Sequence, residues 1–278
     1  MKVAILGDTG MLGGMLKAEL KAQGMNVVGL SRKDGLNIGP YYNEAQVLNS
    51  FNCLDSPDFI VNCVGAIKPV FNDEARLTEA IYTNAIFPHE LVSWNHRFEV
   101  GARIIHITTD CVFDGLDGYY TENSPHNATD DYGRSKSLGE PSNCMVLRTS
   151  IIGPEWGGNK RSLVEWFLSN KGREVNGYTN HMWNGLTTLE LSSCISDIIA
   201  EDMYDNGTFH LFSSSVSKYE LLKAMNRAWE LGITANPIEA KTFCNRILMT
   251  VRELNSVLKP KSLHEMLEEM KYFVEMER

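Results

Sequence analysis

The chain has 278 residues, 43% of them hydrophobic and 22% charged, enough for one large or two small domains with a substantial buried core. That excludes a disordered chain and a disulfide-dependent miniature. Acidic side chains outnumber basic ones by 35 to 26, and the resulting net charge of -9 argues against a broad nucleic-acid surface.

The opening run Met1 to Gly7 is too short for the apolar core of a secretion signal, so a cytoplasmic location is expected. No apolar stretch approaches the ~20 residues of a spanning helix, so no membrane partner is expected. As far as residue 152, short apolar runs alternate with segments of helical period, the pattern of a parallel sheet built from strand-helix units. Strands are expected at Val3–Leu6, Val27–Leu30, Phe59–Val64, Ile104–Thr108 and Cys144–Arg148. Between the first two, Met11, Leu12, Met15, Leu16 and Leu20 recur at helical spacing and Gly24 closes the helix. The segment from Asp73 to Phe98 also has helical character, and Pro88 must kink or restart it. Beyond Gly153, Gly157-Gly158-Asn159 and Asn176-Gly177-Tyr178 signal turns, while Ser162–Leu168 and Lys218–Leu231 read as amphipathic helices. The expected organisation is a first domain over 1–152 and a smaller lobe over 153–278, part of which returns to the first domain around one cleft.

Directly after the first strand stands Gly7-Asp8-Thr9-Gly10-Met11-Leu12-Gly13, at the mouth of the following helix. A glycine-rich strand-to-helix turn lets backbone amides and the helix dipole hold a dinucleotide pyrophosphate, where a Cβ would block close approach. The alternative is a merely tight structural turn. The second strand ends in Ser31-Arg32-Lys33, where a hydroxyl and a guanidinium suit the 2′-phosphate of NADPH better than the ribose of NADH. Arg32 could equally be a solvated loop cation.

Tyr132 and Lys136 are four residues apart, on one helical face between the fourth and fifth strands, at the edge where such sheets bind ligands. Tyr219 and Lys223 share that spacing but sit inside an amphipathic helix of the second half, and read as structural. The fourth strand ends in Thr108-Thr109-Asp110-Cys111-Val112-Phe113-Asp114-Gly115 and delivers hydroxyls to the same edge. Together these groups suit carbonyl reduction by a nicotinamide: Tyr132 protonates the alkoxide, Thr109 orients the carbonyl, and the Lys136 ammonium favours the ionised phenol and can hold the nicotinamide ribose. Six scattered cysteines form neither a Cys-x-x-Cys pair nor a histidine-flanked cluster, so no metal site or disulfide framework is expected, and most should be small buried hydrophobes.

The glycine turn, Thr109, and Tyr132 with Lys136 resemble the extended short-chain dehydrogenase/reductase family. Within it, Thr108 to Gly115 is similar to the Ser-Thr-Asp-Tyr-Val-Phe-Asp-Gly segment of dTDP-4-dehydrorhamnose reductases, and Leu147 to Gly153 to the stretch leading into their substrate lobe. The resemblance implies an α/β fold of Rossmann type, a doubly wound parallel sheet with a smaller C-terminal substrate-binding lobe. It implies an NADPH-dependent enzyme that reduces a 4-keto-6-deoxyhexose carried on a nucleoside diphosphate, with a homodimer as the candidate assembly. By position, Thr109, Tyr132 and Lys136 fall on the family's catalytic residues. Gly7, Gly10 and Gly13 fall on its dinucleotide turn, and Asn84 on an asparagine near the cofactor; as a residue four before Pro88, Asn84 also reads as a simple helix breaker.

Two departures stand out. Cys111 replaces the family's tyrosine, and GDP-fucose synthase and plant UDP-rhamnose epimerase-reductases carry a cysteine there as an epimerisation acid or base. A bifunctional 3- or 3,5-epimerase/4-reductase is thus an alternative, with Lys160 the nearby candidate for the partner base. Asn180 to Gly185 differs from the segment that borders the family's sugar pocket, and there His181 and Trp183 are candidate hexose contacts. A non-catalytic NADP-binding regulatory subunit, and an epimerase or dehydratase that returns its hydride, are the remaining alternatives.

Overall fold

The computed structural model describes residues 1–34, 39, 53–156 and 160–277; the expected turn at Gly157-Gly158-Asn159 lies outside them. The first half comprises β1 (Lys2–Leu6), α1 (Met11–Ala22), β2 (Asn26–Leu30), β3 (Phe59–Asn62), α2 (Glu74–Ile81), α3 (Phe87–Arg97), β4 (Arg103–Thr109), α4 (Asp131–Leu138) and β5 (Met145–Thr149). The second half adds β6 (Ile151–Ile152), α5 (Leu163–Leu168), β7 (Glu174–Tyr178), β8 (His181–Trp183), β9 (Leu186–Thr187), α6 (Thr188–Ala200) and β10 (Gly207–His210). It ends with β11 (Val216–Ser217), α7 (Lys218–Trp229), β12 (Thr234–Ile238), β13 (Cys244–Asn245), α8 (Leu254–Leu258) and α9 (Leu263–Glu277).

The main sheet has six parallel strands in the order β10-β5-β4-β3-β1-β2, so the chain winds outward both ways from the junction of β1 and β3. Because side chains alternate across a strand, Val3 and Ile5 enter the core shared with Leu12, Leu16 and Leu20 of α1 and with Leu191, Ile195 and Ile198 of α6. Ala4 and Leu6 face the opposite layer, against Phe87 and Leu91 of α3. Each fully buried leucine in α1 contributes about 1.5–3 kcal/mol. Smaller pairings, β11-β8-β13, β12-β7 and β6-β9, organise the second half.

Several element ends differ from expectation for local reasons. The third strand stops at Asn62, whose side-chain oxygen accepts the Val64 N–H at 3.1 Å and turns the chain. The segment from Asp73 to Phe98 divides at a π-turn, Tyr82–Ile86, and Pro88 sits in the first turn of α3. Proline lacks the N–H that would reach the Asn84 carbonyl, and the backbone widens there, with Phe87 N–H bonded to the Tyr82 carbonyl. The helix expected through Leu231 ends at Trp229, with Glu230 in the left-handed region at φ 51°. The sixth strand, β10, is contributed by the second half and pairs in parallel with β5.

Candidate active site

Strand register aligns the sheet's C-terminal edge: Leu6 pairs with Asn62, Asn62 with His106, and Thr109 with Thr149. The turns leaving β1, β3 and β4 therefore open on one side, the usual ligand edge of such sheets.

At the first turn, Gly7 adopts φ +84°, and a Cβ on Gly13 would be driven into the Gly7 carbonyl, so α1 starts directly against the strand end. Gly10 N–H bonds the Gly7 carbonyl at 3.0 Å and serves as the N-cap of α1. No side chain caps that helix and no carboxylate stands in its first turn, which leaves its amides and positive dipole end open to an anion. This cradle fits a dinucleotide pyrophosphate. Thr9 is exposed, whereas the Asp8 carboxylate is buried against Gly29 and paired with Lys17 at 2.5 Å. From the second half, Trp156 lies against Gly14 and its Nε1 donates to the Met11 carbonyl at 3.3 Å. At the end of β2, the buried Ser31 donates its N–H (3.0 Å) and hydroxyl (2.7 Å) to Asp34, holding that carboxyl below the ordinary range; Arg32 stands exposed beside it.

Asp130 caps α4 by accepting the Gly133 N–H at 2.8 Å. A Cβ on Gly133 would collide with the Cys111 carbonyl, so this helix packs directly on the turn after β4. That approach brings Tyr132 against Thr109 and Cys111. Thr109 accepts the Cys111 N–H at 3.2 Å and donates to Asp110 at 3.0 Å. Burial raises the Tyr132 phenol well above its ordinary value, with Cys111 adding to the effect and a hydrogen bond with Thr109 opposing it. The Cys111 thiol is pushed up to about 12, chiefly by burial.

Lys136 is buried; its Nζ donates to the Ile107 carbonyl at 3.2 Å, and a Cβ on Gly65 would lie 3.6 Å away. Burial brings its ammonium down to about 8, against the pull of Glu140 and Cys63. The expectation that this ammonium ionises the phenol needs correction. Lys136 is turned to a main-chain carbonyl, and desolvation of Tyr132 dominates, so the phenol keeps its proton. Asn84 is fully buried on the π-turn and grips the loop after β3, accepting from Ala66 N–H (2.8 Å) and donating to the Ala66 carbonyl (3.0 Å) and to Ser135 Oγ (3.2 Å).

Other expected residues lie elsewhere. Lys160 pairs with Glu165 at 3.5 Å. His181 Nε2 donates to the Thr242 carbonyl at 2.8 Å, and its ring contacts that of Tyr178. Trp183 is buried, its Nε1 bonded to Ser150 Oγ at 3.0 Å. Tyr219 packs against Gly177, and Lys223 lies over its ring, away from the Thr109 group. Of the six cysteines, all free, only Cys144 and Cys194 are buried; Cys53 is exposed and Cys63, Cys111 and Cys244 are partly buried.

Sequence reasoning missed a cluster supplied by the second half. Lys218, at the start of α7, lies 5.2 Å from the Trp183 ring centre; burial lowers its ammonium while Asp110, Cys111 and Cys244 sustain it. Arg246 donates to the Phe113 carbonyl (2.8 Å), the Asp114 carbonyl (3.0 Å) and the Cys244 sulfur (3.2 Å). Asp110 is buried and its carboxyl raised by burial, with Arg246 the main opposing charge. No local spacing marks these residues, because topology alone brings them to the edge.

A doubly wound parallel sheet whose glycine turn shares an edge with a threonine, a tyrosine and a lysine defines an α/β protein of the extended short-chain dehydrogenase/reductase type. Comparison with known proteins gives the finer placement. The chain belongs to the family described as RmlD substrate binding domain, which matches residues 1–273. It is 27% identical over 274 residues to the spore coat polysaccharide biosynthesis protein SpsK of Bacillus subtilis, covering 95% of this chain and 91% of that one. A dTDP-4-dehydrorhamnose reductase of Mycobacterium tuberculosis is 32% identical over 163 residues, 54% of this chain and 50% of the relative. Among solved structures, dTDP-4-dehydrorhamnose reductase from Bacillus anthracis in complex with NADP has a similar fold, with a TM-score of 0.78 and 24% identity over 98% of this chain and 99% of that chain. No helix among the described residues is long and apolar enough to cross a membrane.

Proposed function

We propose that this protein is an NADPH-dependent reductase of a nucleotide-activated 4-keto-6-deoxyhexose. The observation that carries the reading is the contact of Tyr132 with Thr109, with Lys136 one helical turn on and bonded to the end of β4, beside an uncapped glycine turn on the same sheet edge. The names and bound NADP of the relatives support it.

Gly7, Gly10 and Gly13 with the first amides of α1 would hold the cofactor pyrophosphate, Arg32 the 2′-phosphate, and Lys136 the ribose beside the reacting ring. When bound, the reduced nicotinamide supplies a hydride to the sugar carbonyl. Tyr132, protonated in the free chain, gives its proton to the oxygen as negative charge develops there. Thr109 accepts a hydrogen bond from the phenol or donates one to the carbonyl, and so fixes the oxygen between them. Lys218, 5.2 Å from the Trp183 ring centre, and Arg246 would supply positive charge for the diphosphate-bearing substrate.

Loss of NADPH absorbance on adding 4-keto-6-deoxy sugar nucleotides tests the assignment. Stoichiometric oxidation with at least one of them is expected. Tight NADPH binding without oxidation across the series would replace the reading with a regulatory one, and turnover without net oxidation with a hydride-returning epimerase or dehydratase.

Epimerisation before reduction is a second reading, favoured by the contact of Cys111 with Tyr132 and by the nearby Lys218 amine. A protonated thiol suits delivery of a proton to the carbon beside the ketone, and an amine of lowered basicity suits its removal. In deuterated water, deuterium at the carbons flanking the former ketone is the expected mark of that step; its absence leaves simple reduction.

A further inference from the structure

A buried polar cluster behind the candidate site takes no part in the chemistry above. Its centre is Arg148 on β5, 1% exposed. Nε donates to Glu140 Oε1 at 3.1 Å, and one terminal nitrogen to Glu140 Oε2 at 2.5 Å. That nitrogen also donates to His126 Nε2 at 2.8 Å, and the other terminal nitrogen to His210 Nε2 at 2.7 Å. A guanidinium has no acceptor, so both imidazoles must present a lone pair at Nε2. Each is therefore neutral, with its proton on Nδ1. Their remaining contacts agree: His126 Nδ1 lies 2.6 Å from Ser137 Oγ, and His210 Nδ1 lies 2.6 Å from the Met249 carbonyl. The guanidinium also stands 5.1 Å from the ring centre of Phe113, which stacks on Tyr120 and meets both imidazoles edge-on.

Three segments that carry or flank the candidate site thus converge on one side chain. Glu140 follows α4, and Ser137 lies on it next to Lys136. Phe113 belongs to the turn that holds Thr109 and Cys111. Met249, reached through His210, follows the strap that carries Arg246. We propose that Arg148 and its two neutral imidazoles form a positioning cluster that sets α4, and with it Tyr132 and Lys136, against the Thr109 turn, and that protonation of His126 releases the branch of this tether that runs through Ser137 while the Glu140 bonds remain.

A protonated His126 has no lone pair for Arg148 and repels it, so the bond to the guanidinium is lost while the Ser137 contact survives without its anchor. The charged groups facing His126 are Arg148 and Glu140, the latter at 3.6 Å. Those facing His210 are Arg148, Glu122 and Glu140. Burial and Arg148 oppose protonation of both rings, and the carboxylates favour it.

The catalytic part of this proposal rests on the reductase reading, so two of its tests need no turnover. Imidazole nitrogen NMR of the whole protein at neutral pH is expected to give Nδ1-protonated, Nε2-accepting tautomers for His126 and His210. An Nε2–H tautomer at either ring overturns the cluster. On acidification, the backbone amide shifts of Tyr132 and Ser137 are expected to follow the His126 titration, and to lose that dependence in His126→Gln, whose amide can still accept from Arg148 but does not titrate. Shifts that ignore His126, or persist unchanged in the variant, overturn the tether. With a 4-keto sugar nucleotide as substrate, kcat is expected to fall through the same pH range in the wild type and not in His126→Gln. His126→Ala is expected to lose about 10- to 100-fold in kcat with NADPH affinity and KM retained. An identical acid limb in His126→Gln, or a loss confined to KM, refutes positioning. A wild-type protein inactive on every such substrate instead refutes the reductase reading, and the NMR measurements still decide the cluster.

Discussion

Tyr132 and Lys136 are moved in opposite directions by one cause: desolvation favours the neutral form, so the phenol holds its proton more firmly and the ammonium, at about 8, less firmly. The free chain is therefore set to donate a proton from Tyr132 at neutral pH. Tyr132→Phe removes that donor and little else, and is expected to lower kcat by about two or more orders of magnitude with NADPH affinity retained; unchanged turnover would defeat the mechanism. Lys136 must be cationic to donate strongly to the cofactor ribose. NADPH affinity, followed by fluorescence titration, is expected to weaken as pH rises through about 8, and Lys136→Met to bind weakly at every pH. At the end of β2 the Ser31 hydroxyl is committed to Asp34, so on the proposed reading Arg32 is the group to test against the 2′-phosphate. Arg32→Ala is expected to cost about 10- to 100-fold in NADPH affinity, the worth of a charge-assisted bond of about 1.5–3 kcal/mol, without changing NADH affinity. Unchanged NADPH affinity would return Arg32 to the role of a solvated loop cation, and equal losses for both cofactors would show that it does not read the 2′-phosphate.

At the scale of elements, what could be read in advance was what neighbours in sequence encode. The glycine turn announces itself because a strand, three glycines and an amphipathic helix stand in a row, and Tyr132 and Lys136 share a face of one short helix. The parallel sheet followed from the alternation of apolar runs and helical periods. By contrast β10, only four residues long and rich in polar side chains, gains its identity from β5, and Lys218 and Arg246 reach the site through tertiary packing. The π-turn was half visible: Pro88 forecast a break, but not that the break would turn Asn84 inward to clasp both main-chain groups of Ala66. Asn84→Ala leaves those groups without their partner in a partly buried loop. It is expected to destabilise the fold by about 1–3 kcal/mol in urea unfolding and to weaken NADPH binding, since the loop after β3 borders the cofactor edge. Full stability with normal binding would return Asn84 to the role of a simple helix breaker.

Across the whole molecule the two halves share one core, because α6 packs beside α1 and β10 extends the sheet past β5. Three histidines lie in or against that shared interior: His106 on β4, His210 on β10, and His126 at the Arg148 cluster. Burial is the first cause in each case, and it depresses all three below the ordinary value, His210 to about 4 and His106 well down. The linkage follows from proton counting. Above about pH 6.5 the rings are neutral in both folded and unfolded chains and pH has no leverage through them; below it the unfolded chain binds protons that the native chain refuses. Stability is therefore lost as pH falls from about 6.5 toward 4, and the loss levels off only where the native rings themselves accept protons. Carboxylates held low by native hydrogen bonds, such as Glu122 and Asp130, add their own losses at still lower pH, while Asp110, raised by burial, acts in the opposite sense. Urea unfolding at pH 7.5, 6 and 5 is expected to show a falling midpoint with a constant slope, accompanied by proton uptake on unfolding, and His210→Gln should flatten part of that dependence. A midpoint that holds steady between pH 7.5 and 5 would mean that these rings are already charged in the native protein, and the neutral hydrogen-bonded arrangement around Arg148 could not stand.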